Sequence, residues 1–268
     1  MNSLDILSQK LLQTRKYRAL HLPPETIRDL IEQESQHYSD PKAVEESVRK
    51  KLHQLTALYL GDPDYEAALQ EVRQLTTRAE LEIFARRMLA CHTSTRERLP
   101  NLTDFYTKLF AITGKPQCIL DLACGLNPFA LPMLELPPDI DYQAYDIHLP
   151  RVDLLNAFFK QCGFSAAHAE QRDILVDPPT QSAEVAFFFK EAHRMEQRQK
   201  GSNHRLWETL CVEYLLVSLP GSDIGKTHDM HERMRNLVKQ TVQGHTWQIK
   251  EVECGDELVF CIHKGAQV

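Results

Sequence analysis

The chain has 268 residues, 43% of them hydrophobic, enough to bury a sizeable core as one large domain or two modest ones. A net charge of -6 excludes a uniformly basic nucleic-acid binder, but basic and acidic residues balance over 1–108 and the acidic excess lies beyond. There is no apolar run of about 18 residues, the N-terminus MNSLDILSQKLLQTRKYR is charged, and the seven cysteines are scattered without a CxxC, so the expectation is a soluble cytoplasmic protein with reduced thiols, no membrane span and no metal site.

Up to about residue 115 the apolar period is helical. Leu4, Leu7, Leu11 and Leu12 predict one helix, and Ile27, Leu30 and Ile31 a second after Pro23-Pro24. Val44, Val48, Leu52, Leu55 and Tyr59 predict a third after the cap and first-turn proline Asp40-Pro41. Tyr65, Ala68, Leu69 and Val72 follow the capping residue Asp62, and Leu81, Phe84, Ala85 and Met88 continue the pattern. Ser94 to Glu97 has capping-box spacing and predicts the start of a helix carrying Phe105, Tyr106, Leu109 and Phe110, with Pro100 a point of kinking or restart.

After Gly114-Lys115-Pro116 the rhythm changes to short apolar runs. Strands are predicted at Cys118 to Ala123, Tyr142 to Ile147, Ala166 to Arg172, Val185 to Lys190, Tyr214 to Pro220, Trp247 to Val252 and Leu258 to His263, with helices in the spaces and the last two strands as an antiparallel hairpin. The fold class is therefore α/β, a doubly wound Rossmann-like sheet behind an all-helical N-terminal domain, with domains at 1–115 and 116–268.

In an open parallel sheet, ligands sit beyond the carboxyl ends of the strands. Those ends read Asp121-Leu-Ala-Cys-Gly125, then Asp146-Ile147, Asp173-Ile174 and Phe189-Lys190. Asp146, 21 residues past Gly125, suits a pair of ribose hydroxyls, and Asp173 an exocyclic adenine amine. A dinucleotide calls for G-x-G-x-x-G around its pyrophosphate, and this turn has only Gly125. S-adenosylmethionine has the nucleoside and no phosphate, so it fits better. Each acid taken alone is equally a helix cap; their joint spacing favours a Rossmann-like methyltransferase.

The segments HTSTRERL (92–99), DLACGLNPFAL (121–131), YDIH (145–148) and DELVFCIHK (256–264), with TRKYRAL (14–20), together resemble the aminoglycoside-resistance 16S rRNA methyltransferases. The resemblance implies methyl transfer from S-adenosylmethionine to N7 of guanine 1405 within the assembled 30S subunit, with no DNA or membrane partner. It further implies that Arg98 binds the methionine carboxylate, that Ala123 and Gly125 line the cofactor, that Asp146 and Ile147 hold the ribose, and that Asp173 and Ile174 frame the adenine. Lys190, closing an apolar run, is expected at the catalytic face, and Glu257 resembles a family acid near the target guanine. Phe105, Tyr106 and Met230 are candidates to grip the flipped base. The basic clusters Arg15-Lys16-Arg18 and Arg49-Lys50-Lys51, with Lys226, are expected to meet rRNA phosphates. The segment PGSDIGKTHDMHERM departs from the family's glycine- and arginine-rich loop, and His228 and His231 lack a third metal ligand. Two other readings share parts of this pattern: a small-molecule methyltransferase, and a noncatalytic ribosome-associated RNA-binding module.

Overall fold

The computed structural model describes residues 3–14, 21–56, 62–219, 227–255 and 257–265. Helices come first: α1 (Ser3–Leu12), α2 (Pro24–Ser35), α3 (Pro41–Thr56), α4 (Tyr65–Val72), α5 (Arg78–Cys91), α6 (Thr93–Arg96) and α7 (Leu102–Thr113). Prolines with no N–H to satisfy open α2 and α3. Asp64, not Asp62, caps α4 by accepting from the Ala67 N–H, and Thr77 with Glu80 forms a capping box on α5. The capping box expected at Ser94 is not formed. His92 caps α6 instead, and Pro100 sits in a short 3-10 turn, Leu99–Asn101, that separates α6 from α7.

Seven strands follow: β1 (Cys118–Leu122), β2 (Asp141–Asp146), β3 (Ala167–Gln171), β4 (Ala183–Phe189), β5 (Val212–Leu219), β6 (Gln248–Cys254) and β7 (Glu257–His263). They form one sheet in the order β3-β2-β1-β4-β5-β7-β6, parallel from β1 to β5, with β7 antiparallel to both β5 and β6. Both faces are covered, so β4 reads as a continuous apolar run: Val185, Phe187 and Phe189 enter one core, Ala186 and Phe188 the other. Strand order reverses between β1 and β4, which puts the ligand-binding crevice beyond their carboxyl ends.

Helices do not fill every gap between strands as expected. Asn127–Met133, with Pro128 and Pro132, forms a 3-10 helix, and 172–182, with Pro178-Pro179, contains no helix. The α-helices on the sheet are α8 (Leu149–Cys162), α9 (Ala192–Arg198), α10 (Ser202–Thr209) and α11 (Thr227–Thr241). Helices from before the sheet supply the missing cover: Phe84 and Met88 of α5 and Phe105 and Leu109 of α7 share a core with Ile119 and Phe187. By contrast, α1 to α3 bury Leu11, Ile27, Leu30, Ile31, Val48 and Leu52 in a small core of their own. The buried residues of this small core end at Leu52, and those of the core shared with the sheet begin at Ala68. All seven cysteines are free thiols. Among the described residues no helix is long and apolar enough to cross a membrane.

Candidate active site

Beyond β1, β2 and β4 the chain opens a cleft with about 840 Å³ of empty space, part of it continuous with solvent. Arg98, Ala123, Gly125, Asp146, Ile147, Asp173 and Ile174 all line it, so seven residues expected at a cofactor from widely separated segments meet in one place.

The turn after β1 is built on left-handed backbone. Ala123 has φ 49° and Gly125 φ 55°. A Cβ on Gly125 would meet nothing within 4 Å, so conformation rather than crowding calls for glycine there, and the space beside it stays open. Asp146 anchors this turn: Oδ2 accepts from the Gly125 N–H at 3.1 Å and from Arg151 Nη1 at 2.6 Å, and Oδ1 from the His148 N–H at 2.9 Å. Arg151 also bonds Asp62 at 2.7 Å, tying the start of α4's segment to β2. A carboxylate has about four lone-pair sites, so Asp146 retains acceptor capacity towards the cleft.

Arg98 follows α6 and sits between two aromatic rings, its guanidinium carbon 4.2 Å from the centroid of Phe105 and 4.6 Å from that of Phe189. Glu257 accepts from its Nε at 3.1 Å and its Nη2 at 2.6 Å, and Asn127 from its Nη1 at 2.7 Å. Those contacts use three of its five N–H bonds, which leaves donors for an anion in the cleft. Burial opposes charge on Glu257, yet Arg98 and Lys190 hold its carboxyl below the usual range. Asn127 extends the chain of contacts, accepting from the Tyr106 hydroxyl at 2.8 Å and donating to Asp121 at 2.9 Å. Burial raises the Asp121 carboxyl to about 7.

Three expectations change here. Lys190 does not emerge at the cleft: with φ 62° its side chain is buried, its ammonium 2.8 Å from Glu97 and 3.7 Å from Glu257. Glu257 does not line the cleft, where an acid near the target guanine is expected; it is buried and backs Arg98. Phe105 and Tyr106 are core residues, one packed on Arg98 and the other bonded to Asn127, so neither offers a face to a flipped base.

Asp173 lines the cleft, but its carboxylate is engaged: Oδ2 accepts from the Thr26 hydroxyl at 2.7 Å, and Oδ1 from the Leu175 N–H at 3.1 Å and Arg198 at 2.9 Å. In the second basic cluster Arg49 pairs with Glu45 on its own helix, Lys51 pairs with buried Glu34 at 2.6 Å, and Lys50 is exposed. Arg15, Lys16, Arg18 and Lys226 lie outside the described residues, as does the side chain of Met230. Sequence reasoning gave no role to Asn127, Arg151, Glu191 or Arg198, all of which line the cleft. Burial raises the Glu191 carboxyl to about 7, against the pull of Arg194.

The cleft's chemistry matches S-adenosylmethionine: an acid at the end of β2 for hydroxyls, the apolar side chains of Ile147, Ile174 and Met195 for a ring, and Arg98 for a carboxylate. The profile of the ribosomal RNA methyltransferase (FmrO) family matches residues 13–261. The chain belongs to this family. A 16S rRNA (guanine(1405)-N(7))-methyltransferase of Micromonospora rosea is 28% identical, the alignment covering 97% of each chain. One of Serratia marcescens is 30% identical over 84% of this chain and 83% of its own. Among solved structures, the 16S rRNA methyltransferase RmtF in complex with S-adenosyl-L-homocysteine superposes with a TM-score of 0.79 at 26% identity, covering 99% of this chain and all of that one. Membership in the family makes the chain an S-adenosylmethionine-dependent rRNA methyltransferase.

Proposed function

We propose that the chain methylates N7 of guanine 1405 of 16S rRNA in the assembled small subunit, in the cytoplasm. The observation that carries this reading is the convergence of Arg98, Gly125, Asp146 and Ile174 on one cleft, in a chain whose relatives bear that activity in their names. S-adenosylmethionine supplies an electrophilic methyl group when bound.

Guanine N7 carries a free lone pair at neutral pH, so the transfer needs no general base. What the protein must supply is position and exclusion of water. Arg98 orients the amino-acid end through its free N–H bonds, and Glu257, Asn127, Phe105 and Phe189 fix its guanidinium. Lys190 holds Glu257 from behind, which makes Lys190 and Glu257 positioning residues for Arg98. Asp146 fixes the Gly125 turn and takes the ribose hydroxyls; Ile147 and Ile174 flank the base. The segment up to Thr56, with Arg15, Lys16, Arg18 and Lys50, meets rRNA phosphates and sets register, as phosphate contacts do. An N7 methyl adds bulk and positive charge, both of which oppose cationic aminoglycosides, so cells expressing the chain are expected to resist kanamycin and gentamicin and remain sensitive to apramycin.

Calorimetry with S-adenosylhomocysteine on the wild type and on Asp146→Asn, alongside tritiated methyl transfer to intact small subunits, tests the reading. Binding weakened by about 1 to 3 kcal/mol in the variant, and incorporation into subunits, are expected. Incorporation into free nucleosides or small molecules, and none into subunits, would point to a small-molecule enzyme. Subunit binding without cofactor binding would point to a noncatalytic module.

A further inference from the structure

Arg198 ends α9, and its side chain is 7% exposed. It is an unusual junction. Its two terminal nitrogens hold both oxygens of Asp173, at 2.9 and 2.7 Å, and one of them also reaches Asp29 on α2 at 2.9 Å. Thr26, on the same helix, donates to Asp173. Lys51 of α3 donates to the Arg198 carbonyl at 3.4 Å, and Gln171 at the end of β3 bonds the carbonyl of His21. Ile147, which lines the cleft, also packs against the small core of α1 to α3.

Arg198, Asp173 and Ile147 therefore belong to two structures at once: the wall of the cleft and the seam with a helical layer that has its own core. Asp29 and Thr26 do not line the cleft. Arg198 Nε is buried and meets no acceptor among the described residues. Because Arg198 lines the cleft and also holds α2, a ligand that fills the cleft meets the residue that fixes the helical layer, and this shared contact gives cofactor binding a differential interaction with the state of that residue, the condition for any linkage.

We propose that Arg198 is a positioning residue that couples occupancy of the cleft to the placement of helices α1 to α3. Filling the cleft fixes Arg198 and Asp173 in their paired arrangement; that pair holds Asp29 and Thr26, and so α2. By reciprocity, a small subunit that grips α1 to α3 in the same placement tightens cofactor binding by the same factor. This inference rests on the reading of the cleft as a cofactor site and of the helical layer as the docking surface.

Hydrogen exchange on the whole chain, with and without S-adenosylhomocysteine, tests it. In the wild type the ligand should slow exchange of the α2 amides. In Thr26→Val with Asp29→Asn, neither of which touches the cleft, the ligand should still bind, about 3- to 10-fold more weakly, and the slowing in α2 should vanish. A seam that is only structural would exchange faster in the variant with and without ligand but would keep the increment. Persistence of the increment in the double variant, or its absence in wild type that binds the ligand, overturns the coupling and leaves the methyltransferase reading intact. Failure of the wild type to bind S-adenosylhomocysteine at all defeats that reading of the cleft, and the coupling with it.

Discussion

Two arginines line the same cleft, and each holds a carboxylate with two nitrogens, but they are set in different ground. Arg98 and Glu257 are 3% and 7% exposed, lie within the core shared by α7 and the sheet, and are gripped by Phe105, Phe189 and Asn127. Arg198 stands where two separately packed layers meet, and one of its partners, Asp29, is 26% exposed. The same ion-pair chemistry makes a fixed post in the first place and a joint in the second. The difference lies in what each carboxylate keeps once its arginine is gone: Asp173, only 1% exposed, keeps the Thr26 hydroxyl and the Leu175 N–H, and Asp29 keeps water, whereas Glu257 keeps Lys190 at 3.7 Å.

The largest expected effect is that of Arg98→Ala. It strands Glu257, a buried carboxylate with Lys190 at 3.7 Å as its remaining cation, and should cost about 3 to 5 kcal/mol in urea unfolding while abolishing S-adenosylhomocysteine binding. Arg98→Met combined with Glu257→Gln removes both charges and should recover much of that stability without restoring binding. Recovery of neither would remove the post from the account.

Next in size is a pH effect within the same network. Burial raises Asp121 from 3.8 to about 7, so its protonated form is favoured by folding. Its contribution, on the order of a few kcal/mol, is fully present below pH 3.8 and is lost as pH rises through about 7. The Tyr142 hydroxyl and the Asn127 amide both donate to one Asp121 oxygen, so Asp121→Asn keeps their acceptor and should flatten that part of the stability profile. Superimposable wild-type and variant profiles between pH 4 and 8 would contradict it.

Arg198→Ala should cost less, about 2 kcal/mol, because Asp173 keeps the Thr26 hydroxyl and the Leu175 N–H, and Asp29 turns to water. Equal costs at the two arginines would erase the contrast between post and joint. Smallest is Lys50→Glu, on the outer face of α3: subunit binding should weaken slightly and the slope of log K against log salt should fall by about 1, with S-adenosylhomocysteine affinity unchanged.

Much of this architecture is legible in sequence because it is written locally. Each strand appears within a few residues of its predicted place, since a sheet covered on both faces needs unbroken apolar runs such as VAFFF. The strand-end acids and the Gly125 turn are legible because topology alone brings them together. Arg98 is legible only through the RERL motif. Asn127 lies in GLNP with no legible role, because what it bridges, Asp121 to Arg98 and Tyr106, is set by three elements at once. Arg151 and Arg198 carry no signal at all. Each looks like a helix-surface arginine, and their partners lie up to 89 and 169 residues away. Ser94 to Glu97 misled because capping-box spacing does not require a capping box; the helix there is a single turn stopped ahead of Pro100. Lys190 misleads because the end of an apolar strand points to a ligand face, whereas its left-handed backbone and the carboxylates of Glu97 and Glu257 hold its side chain inside.

One guanine edge in the small subunit is expected to receive the methyl group. Small subunits treated with the protein and S-adenosylmethionine, then reduced with borohydride and cleaved with aniline, report N7-methylguanine as a strand break read by primer extension. The expected result is a single new break at guanine 1405, absent without the cofactor and absent with Arg98→Met, Glu257→Gln protein. Breaks at another guanine, or methyl incorporation with no break at all, would contradict the assignment of the target atom; no incorporation into subunits would contradict the function itself.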